Sequence, residues 1–78
     1  MTAVFAEVKV LMAQTLRIPA ADIRPDGSLA DLQMDSLAMA ELCVALESTY
    51  GSRVDGDRLA RATTVDELVG LVEKGIAR

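Results

Sequence analysis

No histidine occurs among the 78 residues. A Ser-His-Asp or Cys-His nucleophilic site therefore cannot be assembled within this chain. Nor does it hold a side chain whose unperturbed pKa lies near 7, so a reading as a small enzyme with its own general base is poorly supported. One cysteine, Cys43, without any histidine, falls short of the usual zinc ligand sets. Cys43 also has no partner for an internal disulfide, and its place on an apolar stripe reads as a small buried thiol. Tryptophan is absent, and Phe and Tyr occur once each. The core must then come from Leu, Val, Ile, Met and Ala, which favours helices over a sheet. No apolar run approaches the roughly 20 residues of a membrane span. The N-terminus lacks the basic-then-apolar pattern of a signal peptide. No basic run exists, and 12 acids against 8 bases leave a net charge of −4, which argues against binding a nucleic-acid backbone. A cytoplasmic protein without membrane or nucleic-acid partners is the expectation. Mild acidity is ordinary for solubility and also suits a partner with a basic surface.

What is present is a single small domain, 1–78, with 51 % apolar residues, too many for a disordered chain. A domain of this size buries roughly 60–65 % of its unfolded surface, so its stability is modest.

Helical periodicity organises most of the chain. Thr2 is placed to cap a first helix running to about Leu16, with Phe5, Val8, Met12 and Leu16 on one face and Val4 and Leu11 beside them. Arg17-Ile18-Pro19 ends it, because a residue before proline avoids the helical region. A long connection over 18–35 follows, with Ile23, Leu29 and Leu32 as candidate apolar pins. Asp22 is a candidate cap for a short turn, and Asp26-Gly27-Ser28 is a turn signal. The second helix runs from Ser36 to about Tyr50 and stops at Gly51; Met39, Leu42, Cys43, Leu46 and Tyr50 form its core stripe. Val54 and Leu59 anchor a polar stretch in which Asp57 is placed to start one helical turn. Thr64-Val65-Asp66-Glu67 reads as a capping box. It opens a last helix with Val65, Leu68, Val69, Val72 and Ile76 inward and Gly70 and Gly75 as weak points. Three long helices, one short one and a long loop between the first and second predict an all-α fold, a small four-helix bundle.

Ser36 is the candidate site. A serine at a helix start can accept from unpaired backbone N–H groups as a cap. The same place carries the positive end of the helix dipole and suits a bound phosphate. Off the core stripe, Leu37, Ala40 and Val44 lie with Glu41 and Glu47. Such a face either docks an apolar and basic partner or packs under the loop; the pattern leaves both open.

Taken together, Asp35-Ser36-Leu37 at the start of the second helix, Leu29-Ala30-Asp31-Leu32 before it, Asp22-Ile23 and Pro25 in the loop, and Glu41-Leu42 and Ala45-Leu46-Glu47 after it resemble the acyl carrier proteins. Asp-Ser-Leu alone is a weak motif; the long loop, the following helix and the length of the chain make the match specific. The resemblance implies that a phosphopantetheinyl transferase attaches 4'-phosphopantetheine to Ser36 as a phosphodiester, with Asp35 supporting the modification. Acyl groups would then ride as thioesters on the arm's thiol. It also implies that the second helix is the recognition helix, with Leu37, Ala40, Glu41, Val44 and Glu47 as contacts for acyl-loading, condensing or tailoring enzymes. The protein would be a monomeric carrier rather than an enzyme.

Three features depart from the family pattern. Gln33 stands where many members have glycine, Ala38 follows Asp-Ser-Leu where fatty-acid carriers usually place an acid, and carboxylates near Ser48 are sparse. With six arginines against two lysines, these lean toward a discrete carrier of polyketide, nonribosomal-peptide or other specialised biosynthesis, with fatty-acid synthesis as the alternative. A helical adaptor of the same fold that never receives the arm is the competing reading from another class.

Overall fold

A computed structural model describes residues 3–76, residue 76 in its backbone only. The described residues form four α-helices: α1 (Ala3–Leu16), α2 (Ser36–Tyr50), α3 (Gly56–Leu59) and α4 (Val65–Ile76). The expected cap at Thr2 and the inward side chain of Ile76 lie outside the described residues. The all-α bundle of three long helices and one short one is borne out.

Helix α1 packs against both α2 and α4, and α3 bridges the same two helices. Phe5, Val8 and Met12 of α1 meet Leu42 and Leu46 of α2, Leu59 of α3, and Val65, Leu68, Val69 and Val72 of α4 in one buried cluster. All twelve buried core residues are apolar, and none of the described residues buries a charge. The periodic stripes therefore translate into burial, complete at these positions and partial at Leu16, Met39, Cys43 and Tyr50, since residues three and four apart share a helix face.

Helix α1 ends differently from expectation. Arg17 adopts a left-handed conformation, φ 58°, and the Ile18 N–H donates to the Ala13 carbonyl at 3.2 Å. This six-to-one closure terminates the helix before the proline is reached.

The long connection is held in place along its length. Ile23 and Leu29 are buried as expected of pins, and Leu32 is half-buried against the core. A 3₁₀ turn spans Ala20–Asp22; Asp22 ends this turn rather than capping it. The tight turn falls one position earlier than Asp26-Gly27-Ser28, with the Gly27 N–H donating to the Arg24 carbonyl at 2.9 Å across Pro25-Asp26. Proline favours the second position of such a turn, which explains the shift.

The connection then joins α4. Ser28 pairs with Thr64 in an isolated antiparallel bridge, and the Leu29 N–H donates to the Thr63 carbonyl at 2.9 Å. The first N–H groups of α4 are claimed in order: Val65 donates to the Gly27 carbonyl at 3.0 Å and Asp66 to the Pro25 carbonyl at 2.8 Å. Thr64 Oγ1 accepts from the Glu67 N–H at 3.2 Å, as the capping box requires. Thus backbone groups of the loop satisfy a helix start that would otherwise leave donors unpaired.

For α3 the cap is Asp55, not Asp57. The Asp55 carboxylate accepts from Asp57 N at 3.1 Å and Arg58 N at 3.2 Å, so the turn begins at Gly56.

Candidate functional site

Residues 28–34 form the ramp into α2. Leu32 N donates to the Ser28 carbonyl at 3.2 Å, Gln33 N to the Ala30 carbonyl at 3.0 Å and Met34 N to the Leu29 carbonyl at 3.0 Å. These bonds wind one turn, closed by Gln33 at φ 60°. A left-handed residue reverses the chain at low cost only for glycine. Gln33 holds that geometry because the turn and the α4 pairing before it and the capped start of α2 after it fix the backbone.

Ser36 is the first residue of α2 and is exposed. It is not the cap. Asp35 is, with extended backbone and Oδ1 accepting from the Ala38 N–H at 2.8 Å. The Asp35 carbonyl accepts from the Met39 N–H at 2.9 Å. The carboxylate one position upstream reaches the third helical N–H, a geometry that a residue already inside the helix lacks. The capping role read for the serine therefore belongs to Asp35, which leaves the Ser36 hydroxyl free for chemistry. Among the described residues, the N–H groups of Ser36 and Leu37 have no acceptor. They face the helix start, where an anion on the neighbouring hydroxyl is stabilised.

A cleft of about 480 Å³ opens beside Ser36, between the ends of α1, the ramp and the first turn of α2. Its lining includes Asp22, Asp31, Asp35 and Glu41 and no cation. Asp22 and Asp31 stood out in the sequence only as loop residues. Burial of Ile23, Leu29 and Leu32 nearby swings them to one side, a juxtaposition that no helical spacing encodes.

Leu37, Ala40, Glu41 and Val44 are all exposed on one face of α2. Leu37 is 68 % exposed and Val44 66 %, so this face does not pack under the loop. Glu47 belongs elsewhere: it is half-buried, and its Oε2 accepts from the Val54 N–H at 2.9 Å. That carboxylate anchors the loop leaving α2. The structure thus brings Asp35, Ser36, Leu37, Ala40, Glu41 and Val44 to one continuous surface and separates Glu47 from them by engaging it within the fold.

Cys43 is half-buried on the inner side of α2. Burial raises its pKa above the ordinary value of 9.0, and the charges of Glu47 and Asp55 raise it further. A thiol held protonated in this way is a poor nucleophile. Among the described residues, no cluster of His, Cys, Asp and Glu forms a metal site, and no helix is long and apolar enough to cross a membrane.

The family model described as "Phosphopantetheine attachment site" matches residues 6–72. The chain is 37 % identical over 76 residues to an acyl carrier protein of Saccharopolyspora erythraea, a match spanning 96 % of this chain and 80 % of the relative. It is 34 % identical over 58 residues to an acyl carrier protein of Thermobifida fusca, spanning 73 % of each chain. An acyl carrier protein of Thermotoga maritima is 31 % identical over 72 residues, 91 % of this chain and 89 % of that one. The matched span runs from α1 through α4 and includes the ramp, Asp35 and Ser36. The family's cofactor is 4'-phosphopantetheine, and its members carry acyl groups for partner enzymes rather than catalysing reactions themselves. A bundle with an exposed serine just inside the Asp35-capped head of α2, an acidic cleft beside it and a phosphopantetheine-attachment match along nearly its whole length belongs to the acyl carrier protein family.

Proposed function

We propose that Ser36 is the residue that receives phosphopantetheine, and that this chain is a monomeric, cytoplasmic carrier for a specialised biosynthetic pathway. The observation that carries the reading is the division of labour at the head of α2: Asp35 caps, so the Ser36 hydroxyl is exposed and uncommitted. The hydroxyl oxygen would attack the phosphorus that bears the pantetheine in the pyrophosphate of coenzyme A; the bridging P–O bond would break, adenosine 3',5'-bisphosphate would leave, and the hydroxyl proton would pass to a base. With no histidine in the chain, that base belongs to the transferase. The unclaimed N–H groups of Ser36 and Leu37 suit the phosphodiester once formed.

Partner enzymes would dock on Leu37, Ala40, Glu41 and Val44, beside the acidic cleft. Exposed apolar side chains give such a dock its contact area, and the surrounding carboxylates favour a basic partner surface and fast, transient encounters. Support for specialised biosynthesis comes from Ala38 after the motif, the sparse carboxylates of α2 and the arginine-rich composition. A role in fatty-acid synthesis is the alternative; the relatives' names state the carrier alone.

Intact mass before and after incubation with coenzyme A, magnesium and a broad-specificity phosphopantetheinyl transferase tests the assignment. The expected result is a gain of one phosphopantetheine unit, lost in Ser36→Ala. A folded, initially unmodified protein that gains nothing would instead be an adaptor using the same face.

A further inference from the structure

At the other end of α2, roughly 20 Å along the helix from Ser36, a second cleft of about 330 Å³ lies between the loop after α2, α3 and the last turns of α4. Its apolar lining includes Val54, Leu59, Leu71 and Val72. Its polar lining is cationic, with Arg53, Arg58 and Lys74 drawn from three different segments. None of these cations has an ion-pair partner among the described residues. The one acid in the lining, Asp55, already accepts from two backbone N–H groups as the α3 cap.

This polarity runs against the chain as a whole, whose net charge is −4, and against the cleft beside Ser36, which is lined by four carboxylates and no base. Against the single Asp55 carboxylate, three cations around an apolar floor leave an excess of positive charge that a bound anion would offset. The cavity is also at the small end of the roughly 300–1,000 Å³ typical of ligand pockets. The geometry points to a binding site for a small amphipathic anion: a short hydrocarbon chain on the apolar floor, with its carboxylate among Arg53, Arg58 and Lys74. Two sources present this chemistry, a free carboxylate and the far end of a dicarboxylic acyl group tethered to Ser36. Only the second rests on the carrier reading.

The test follows backbone and methyl NMR shifts in the full chain. Free octanoate is titrated against octanol, and Ser36 loaded with an octanedioyl-pantetheine arm is compared with an octanoyl one, with loading verified by intact mass. Expected are saturable shifts at Val54, Leu59, Leu71 and Val72 that favour the carboxylate over the neutral probe by about tenfold or more. The Arg53→Gln/Arg58→Gln/Lys74→Gln variant, with its melting transition checked, should lose that preference, whereas Arg24→Gln outside the cleft should keep it. Filling of the cleft by either the free or the tethered carboxylate supports the site and identifies its source. Equal response to octanol, preference surviving in the triple variant, or no saturable shift from either source overturns it. Failure of the arm to load counts against the carrier reading alone, and the free-octanoate titration then decides the cleft.

Discussion

Asp35 Oδ1 accepts the Ala38 N–H at 2.8 Å, so the residue before the proposed attachment serine holds the helix start and Ser36 does not. This separates stability from chemistry at adjacent positions. Asp35→Ala should cost about 1 kcal/mol, within the roughly 0.5–2 kcal/mol seen for lost caps, whereas Asp35→Asn should be close to neutral. Ser36→Ala should change stability by less than about 0.5 kcal/mol, as exposed substitutions away from such features do, while abolishing loading. Urea unfolding of the three variants measures the first effect and intact mass the second. A Ser36→Ala protein as unstable as Asp35→Ala would return the capping role to the serine.

Gln33 and Arg17 both hold left-handed backbone, φ 60° and 58°. The left-handed region costs a non-glycine residue about 1 kcal/mol or more, partly offset by the extra freedom glycine brings to the unfolded chain. Gln33→Gly and Arg17→Gly should therefore each raise the denaturation midpoint, by a gain of up to about 1 kcal/mol. Gln33→Val, branched at Cβ, should lower it. Midpoints compared at constant m-value report these changes directly.

Gly70 sits in the interior of α4, and a Cβ there would meet no atom within 4 Å beyond its chain neighbours and the backbone of its own helix. Gly70→Ala should stabilise the domain by about 0.5–1 kcal/mol, the ordinary helix-interior difference between the two residues. A destabilisation on thermal or chemical unfolding would mean that the α4 surface is closer-packed than the geometry shows.

Glu67 gives a pH signature. The Thr63 hydroxyl, donating at 2.5 Å, and then the Thr64 hydroxyl at 3.3 Å hold its carboxyl below the ordinary value of 4.5. A carboxyl whose folded pKa is depressed releases its proton more readily when folded. Its contribution is present above pH 4.5 and is lost as pH falls through the lower folded value. Glu67→Gln, which keeps a capping-box side chain, should therefore show a shallower loss of stability below that pH than the parent. Parallel acid-unfolding curves would remove Glu67 from the balance.

Glu41 borders both the acidic cleft and the exposed α2 face. Glu41→Lys should weaken docking to the transferase and flatten the salt dependence of the loading rate, because exposed charges act through a screened field. Loading kinetics measured from low to moderate salt test this, and superimposable profiles for parent and variant would remove Glu41 from the interface.

Much of this was readable in the chain itself. The stripes Phe5–Val8–Met12 and Leu42–Leu46, and the run from Val65 to Val72, mark what is buried, because helical spacing fixes which side chains share a face. The lack of histidine excludes a Ser-His-Asp or Cys-His site within the chain whatever the fold. The Asp35-Ser36-Leu37 motif with its flanks indicates the family, which the match over residues 6–72 shows.

Other features are fixed only in three dimensions. Choosing Asp35 over Ser36 as cap depends on where the backbone turns helical, a difference of one residue that two adjacent polar side chains cannot encode. Exposure of Leu37 and Val44 depends on the path of the 18–35 loop, which turns instead to α4, where Gly27 and Pro25 accept from Val65 and Asp66. Glu47 and Glu41 look alike along the helix, yet one is engaged by Val54 N and the other is exposed. The opposite charges of the two clefts arise because Asp22 and Asp31 converge on α2 at one end, and Arg53, Arg58 and Lys74 on α3 at the other. Local spacing carries burial and periodicity; which distant polar groups meet is decided by chain reversals, and those follow from the packing of the loop's few apolar pins.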